Sequence, residues 1–98
     1  MNILRQTAQQ GDASAQYTLG ALYENGDGVV QDFVKAAGWY REAAKQGDEW
    51  AQYTMGRVYE SGQGVLQDMA KAASWYRKAA EQGVDWAEYA LGDLYKKG

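Results

Sequence analysis

Residues 15–32 read AQYTLGALYENGDGVVQD, and residues 51–68 read AQYTMGRVYESGQGVLQD. The similarity continues beyond these stretches, so that 23 of 36 positions are identical between the two copies. A partial third copy starts at residue 87, and residues 3–14 resemble the second half of a copy. Internal similarity at a fixed period of this size is typical of solenoids, so the sequence predicts stacked units that share one continuous core.

Each copy contains two helical patterns separated by glycines. In the first pattern, Ala15, Leu19, Leu22 and Tyr23 recur at the spacing of one helical face. The second pattern is rich in alanine, and the segment Asn25-Gly26-Asp27-Gly28 lies between the two. Because glycine adopts positive φ at little steric cost, this segment predicts a reversal of the chain. We therefore expect an all-α chain of about six helices in antiparallel pairs, each with a leading and a trailing helix.

Aspartate and glycine mark the ends of the predicted helices. Aspartates stand where an N-cap accepts the first free amides of a helix, and glycines follow the trailing helices as left-handed caps. The aspartates are Asp12, Asp32, Asp48 and Asp68, and the glycines are Gly11, Gly47 and Gly83. Gly20, Gly56 and Gly92 instead fall inside leading helices. Each costs about 1 kcal/mol relative to alanine, which predicts a close approach of the trailing helix at that position.

Composition excludes several classes of function. The 98 residues include no cysteine and no histidine, so the chain offers no disulfide framework, no thiolate metal site and no imidazole base. We expect neither metal nor cofactor. The net charge of −3 comes without a basic stripe, which argues against nucleic acid as a partner. Apolar runs are too short for membrane insertion. The N-terminus lacks the apolar run of a secretion signal, so the default expectation is the cytoplasm, although a trimmed secreted or periplasmic protein has the same features.

These residues resemble the Sel1-like repeat, a relative of the tetratricopeptide repeat. The family pattern is met in the first copy by Ala15, Leu19, Gly20, Tyr23, Gly26, Gly28, Val29, Asp32, Lys35, Ala36, Trp39, Tyr40, Ala43, Ala44 and Gly47. The second copy meets it from Ala51 to Gly83 at the same spacings. The resemblance implies a right-handed superhelix whose leading helices line the concave side. It also implies a scaffold or adaptor, often bacterial, rather than an enzyme. One departure is that Val30 and Leu66 stand where the family often has proline.

We divide the chain into one domain of four parts. Residues 1–14 form a trailing half-repeat, residues 15–50 and 51–86 form two full repeats, and residues 87–98 form a leading half-repeat.

Differences between the copies indicate where a partner binds, because framework positions must repeat and ligand-facing positions need not. The predicted protein-binding residues on the leading helices are Tyr17, Ala21, Trp50, Tyr53, Arg57, Trp86, Tyr89 and Asp93. Aromatic residues and arginine are enriched in binding hot spots. Two alternatives stay open: the indoles of Trp50 and Trp86 complete the core, or Arg57 and Asp93 are ordinary solvated charges. Trp39 and Trp75 repeat unchanged and are interpreted as framework.

The favoured hypothesis is therefore a protein-interaction module that binds a peptide or protein surface in its concave groove. A second hypothesis is a self-assembling unit, in which the N-terminal helix of one molecule completes the C-terminal repeat of another. Its apolar ends are Ile3 and Leu4 at one side and Leu91, Leu94 and Tyr95 at the other. An excerpt from a longer array has the same open ends. A small immunity or inhibitor-type binder is a further alternative. Hydrolysis by Glu24 and Glu60 is the weakest hypothesis, because no nucleophile or histidine accompanies them.

Overall fold

The computed structural model describes residues 2–97, with the side chains of residues 3–96. This part of the chain forms six α-helices and no strand, which confirms the predicted fold class. The helices are α1 (Asn2–Gln9), α2 (Ala13–Asn25), α3 (Phe33–Lys45), α4 (Glu49–Ser61), α5 (Met69–Glu81) and α6 (Asp85–Lys97). Helices α2, α4 and α6 are the leading helices, and α1, α3 and α5 are the trailing helices. Helix α2 begins two residues before the first predicted repeat boundary.

Four aspartates begin four of these helices, as the sequence predicts. The carboxylates of Asp12 and Asp48 accept hydrogen bonds from the backbone amides of Ala15 and Ala51, at 2.8 and 2.9 Å. Those of Asp32 and Asp68 accept from the third residue of the helices that they precede, at 3.0 Å in both cases. Each bond satisfies an amide that has no partner within the helix.

Glycines end the helices in two ways. Gly26 and Gly62 cap α2 and α4 directly, in the left-handed conformation with φ of 74° and 76°. Helices α3 and α5 instead end at Gln46 and Gln82, whose backbones are in or close to the right-handed helical conformation. Gly47 and Gly83 follow with φ of 96° and 95°. Gly11 follows α1 in the same way, with φ of 100°. The predicted positive-φ glycines after the trailing helices are thus confirmed.

The core lies between leading and trailing helices and consists mostly of small residues and tyrosine. Ala36, Ala43, Ala44 and Tyr40 of α3 are at most 3% exposed and pack on Leu19 of α2. At Gly20 an added Cβ would lie 2.8 Å from the ring of Tyr40, and at Gly56 it would meet the ring of Tyr76. The predicted close approach at these two glycines is confirmed, because the tyrosine ring occupies the volume of a Cβ.

The same prediction is wrong at Gly92. An added Cβ there meets no atom within 4 Å. The physical reason is that α6 packs on α5 on one side, while no described trailing helix follows it to place a tyrosine over this glycine. The face of α6 around Gly92 is therefore uncovered among the described helices, whereas the equivalent faces of α2 and α4 are covered by α3 and α5.

Glutamine side chains link each repeat to the next. The Gln16 side chain donates to the carbonyl of Ala8 at 3.0 Å and accepts from the Gln46 side chain at 2.8 Å. One repeat later, Gln52 donates to the carbonyl of Ala44 at 3.4 Å and accepts from Gln82 at 2.8 Å. Both Gln16 and Gln52 are buried, so each bond satisfies a polar group that water does not reach.

The extensive helix contacts join helices that are consecutive along the chain, and the molecule extends over 42 × 24 × 16 Å. This elongated stack is a helical-repeat solenoid. Among the described helices, none has the length and apolar character needed to cross a bilayer.

Candidate protein-binding surface

The leading helices carry two large indoles that point away from the core. Trp50 at the start of α4 is 45% exposed, and Trp86 at the start of α6 is 63% exposed. Trp50 packs against the edge of the Tyr53 ring, with ring centroids 6.1 Å apart. The alternative in which these indoles complete the core does not agree with this placement. We call the surface formed by Ala21, Trp50, Arg57, Trp86 and Asp93 the leading face.

The tyrosines predicted beside this surface take two different positions. Tyr17 and Tyr53 are half-buried and pack on the rings of Tyr40 and Tyr76, with centroids 5.3 and 5.7 Å apart. The hydroxyl of Tyr17 also lies 3.4 Å from that of Thr54, which links α2 to α4. These two tyrosines are mainly structural. Tyr89 is 81% exposed, because no described tyrosine follows α6 to pack on it.

One repeat position on the leading face changes its charge from helix to helix. It holds half-buried Ala21 in α2, exposed Arg57 in α4 and exposed Asp93 in α6. Among the described residues, Arg57 forms no ion pair within 4.0 Å. The side chain of Arg57 therefore remains available to a partner.

A pocket opens between α2 and α4, next to Arg57. Its volume is about 130 Å³, and it is lined by Glu24, Thr54, Arg57, Val58, Ser61 and Gln63. Thr54 is only 3% exposed and forms part of its inner wall. The pocket thus combines one carboxylate, one guanidinium, one carboxamide and two hydroxyls on the surface where the sequence predicts binding.

The two glutamates considered for catalysis have a structural role. The Tyr40 hydroxyl donates to the Glu24 carboxylate at 2.6 Å, and the Tyr76 hydroxyl donates to Glu60 at 2.7 Å. Burial raises the pKa of both tyrosines far above the usual range, and the hydrogen-bonded glutamate raises it further. The positive charge of Arg57 acts on both tyrosines in the opposite direction. Each glutamate therefore holds a neutral tyrosine in place.

The ends of the stack are less apolar than the sequence suggests. Leu94 is only 7% exposed and belongs to the core formed with α5, while Leu91 and Leu4 are half-buried and pack on the core. The expectation that Leu94 faces solvent is wrong, because α6 turns it towards Tyr76 and its neighbours. Ile3 and Tyr95 remain exposed, at 80% and 62%. The hydroxyl of Tyr95 accepts a hydrogen bond from Arg77 at 2.6 Å.

A second exposed apolar set lies on the turns and the starts of the trailing helices. Val30 and Leu66 are 87% and 90% exposed, and Val34 and Met69 are also exposed. Sequence reasoning did not select these residues as a surface. The available signal was that Val30 and Leu66 are apolar residues one repeat apart in turns.

The stacked helix pairs and their spacing agree with comparisons to known proteins. The Sel1 repeat model matches residues 13–48, 51–84 and 87–98. The chain belongs to the Sel1 repeat family. Sel1 repeats form non-catalytic helical scaffolds that generally mediate protein interactions.

Solved structures with the same fold come from several bacteria. A Sel1 repeat protein from Oxalobacter formigenes is 44% identical over 92% of this chain, with a TM-score of 0.90. The protective antigen c5321, present in uropathogenic Escherichia coli strains and displaying an SLR fold, is 44% identical over the whole chain, with a TM-score of 0.96. Cysteine rich protein B of Helicobacter pylori is 28% identical over 90%, with a TM-score of 0.86. The chain spans 68%, 21% and 66% of these proteins, respectively. No curated protein matches it.

Proposed function

We propose that this Sel1 repeat chain binds an extended segment of another protein across its leading face, and that it is not an enzyme. The observation that carries the proposal is the pair of exposed indoles, Trp50 and Trp86, at the same position of successive leading helices. Exposed tryptophans that recur at one repeat position give a partner regularly spaced anchors with large contact area. Arg57 between them adds a charged donor fork.

The chemistry of the leading face favours a protein over other ligands. Large aromatic side chains and arginine are enriched at the centres of protein interfaces, and here they lie on helices whose caps and core hold them in place. Family membership supports the same class of partner, because Sel1 repeats are generally interaction scaffolds. A small immunity or inhibitor-type binder would use this surface in the same way.

The experiment is selection of binding peptides from a random library displayed on phage, followed by affinity measurements on single variants. We expect the Trp50→Ala/Trp86→Ala variant to bind the selected peptides at least about 30-fold more weakly, since a hot-spot truncation costs about 2 kcal/mol or more. Because both indoles are exposed, the variant should keep its helix content by circular dichroism.

The matched control is Val30→Ala/Leu66→Ala, which removes two exposed apolar side chains from the turns. We expect this variant to bind like the original chain. Equal losses in both variants, or no loss in the tryptophan variant, would place the binding surface elsewhere.

Self-assembly is the second candidate function, and one observation favours it. Gly92 lacks the tyrosine that covers Gly20 and Gly56, so α6 retains an unfilled position for a trailing helix. Helix α1 is a trailing helix whose Leu4 stands at the repeat position of Tyr40 and Tyr76. A head-to-tail contact between two copies would therefore place an aliphatic side chain over Gly92.

A further inference from the structure

The charged side chains that line the pocket between α2 and α4 indicate which chemical group it binds. It holds about 130 Å³, roughly ten times the ~10–15 Å³ that a single water needs on the same measure. It therefore has room for a side chain of a bound segment. Of its six lining residues, Glu24 and Arg57 carry opposite charges, so the pocket is neutral as a whole.

Glu24 supplies the acceptor. Its Oε1 accepts the hydrogen bond from Tyr40 at 2.6 Å, which fixes the orientation of the carboxylate. Its other oxygen, Oε2, has no hydrogen bond or ion pair with a described residue. A carboxylate oxygen has lone pairs for further donors, so Glu24 offers one preoriented acceptor to a ligand in the pocket.

Arg57 supplies the donor from the other helix. The two side chains line the same pocket, yet no guanidinium nitrogen comes within 4.0 Å of the Glu24 carboxylate. The two side chains are thus not paired with each other, and each keeps hydrogen-bonding capacity for a third group in the pocket. A carboxylate in the pocket would be attracted by Arg57 but repelled by Glu24. An ammonium group would be attracted by Glu24 but repelled by Arg57.

Glutamate and arginine occur together only between α2 and α4, among the pairs of successive leading helices that the structure describes. In the next step, between α4 and α6, Glu60 takes the repeat position of Glu24, but Ala90 and Asp93 take those of Thr54 and Arg57. The second step thus has the glutamate and its tyrosine without the donor fork. Glu60 is for this reason a natural control for Glu24.

We propose that the pocket binds a primary carboxamide, the side chain of a glutamine or asparagine in the segment held on the leading face. The carboxamide oxygen accepts from the Arg57 guanidinium, and the carboxamide NH₂ donates to Oε2 of Glu24. This inference rests on the proposed function for its biological partner, but the pocket itself can be tested without that partner.

The first test uses capped single amino acids, the N-acetyl N-methylamides of Gln, Glu, Met and Ala, titrated into the labelled protein. The readout is the change in NMR chemical shift of the Thr54 and Ser61 backbone amides. We expect a saturating shift with the Gln probe and about tenfold weaker binding of the Met probe, since the latter leaves both polar groups unpaired. Equal responses to Gln and Ala would assign any binding to the backbone amides and overturn the proposal.

The second test reverses the polarity of the pocket with Glu24→Gln. The new amide oxygen still accepts from Tyr40, so its NH₂ turns towards the pocket and both walls become donors. We expect this variant to prefer the Glu probe over the Gln probe by at least about tenfold. Glu60→Gln makes the same change beside Tyr76 and should leave the preference for Gln intact. An unchanged preference in Glu24→Gln, or the same change in both variants, would overturn the proposal.

The two proposals fail separately. If library peptides depend on Trp50 and Trp86 but the probes do not respond, the leading face binds a partner and the carboxamide inference is wrong. If the Gln probe binds and no library peptide depends on the indoles, the pocket is specific and the proposed function is wrong.

Discussion

At the scale of single residues, three glycines occupy one repeat position in two different surroundings. The ring of buried Tyr40 lies 2.8 Å from where a Cβ of Gly20 would be, whereas the same atom on Gly92 meets nothing within 4 Å. The sequence indicates three equivalent close approaches, because it shows the repeat position but not which helix follows. Whether a Gly→Ala substitution at this position raises or lowers the free energy of unfolding therefore depends on the neighbouring helix.

We expect Gly20→Ala to lower the free energy of unfolding by about 1–3 kcal/mol, since the buried ring has no space to move. Gly92→Ala should raise it by up to about 1 kcal/mol, because alanine favours a helix and meets no obstacle there. Urea denaturation of the two variants measures both effects. Destabilisation of similar size in both would show that a second helix covers Gly92.

The buried tyrosines predict how stability depends on pH. Burial and the hydrogen bonds to Glu24 and Glu60 raise the pKa of Tyr40 and Tyr76 above that of the unfolded chain. Their contribution is complete below the unfolded-state pKa of about 10. It is lost progressively as the pH rises above that value towards the folded-state pKa, because the unfolded chain then binds fewer protons.

We therefore expect the free energy of unfolding to fall by up to about 1.4 kcal/mol per pH unit for each tyrosine above pH ~10. Urea denaturation between pH 8 and 11 measures this slope. The Tyr40→Phe/Tyr76→Phe variant removes both hydroxyls and should lose most of it. A slope unchanged in that variant would assign the alkaline transition to other groups.

At the scale of helices, sequence predicts the boundaries well because local chemistry determines them. Asp12, Asp32, Asp48 and Asp68 each accept the predicted amide, and the glycines after α1, α3 and α5 take the predicted positive φ. The pocket between α2 and α4 was not predicted. It depends on the separation of Glu24 and Arg57 across two helices, and a repeat pattern contains no information about that separation.

The glutamine bonds between repeats are a helix-scale feature with a measurable contribution. We expect Gln52→Ala to lower the free energy of unfolding by about 1–3 kcal/mol, because it removes two hydrogen bonds of a buried side chain, each worth about 0.5–1.5 kcal/mol. Gln31→Ala is the control, since Gln31 also donates to a carbonyl but is exposed. It should cost less than about 1 kcal/mol, and thermal denaturation compares the two. Equal costs would mean that burial adds nothing to these bonds.

At the scale of the whole molecule, the uncovered face of α6 predicts how the chain associates. If α1 of one copy packs over Gly92 of another, the molar mass measured by light scattering should rise with protein concentration. Tyr89→Glu places a charge on this face at a residue that is 81% exposed, so it should abolish association without unfolding the chain. Val30→Glu adds the same charge on the turns and serves as control. A constant monomer mass at millimolar concentration would end this hypothesis.

The placement of exposed residues also shows where sequence reasoning reaches its limit. Trp50 and Trp86 are exposed, whereas Leu94 is buried although it lies in the last helix. The repeat pattern is compatible with two positions for Leu94. The side chain can face a following helix, or it can face α5. Only the three-dimensional packing of α6 on α5 decides between them.

The contacts between consecutive helices have a consequence for amide hydrogen exchange. Helices α2 to α5 each pack on a helix at both sides, with α3 and α4 farthest from the ends, whereas α1 and α6 each pack on one. A helix that loses its single neighbour can open without disturbing the rest of the stack. Protection should therefore be highest at α3 and α4 and fall towards both ends. The leading face is then divided, with Trp50 on a slowly opening helix and Trp86 on one that opens readily.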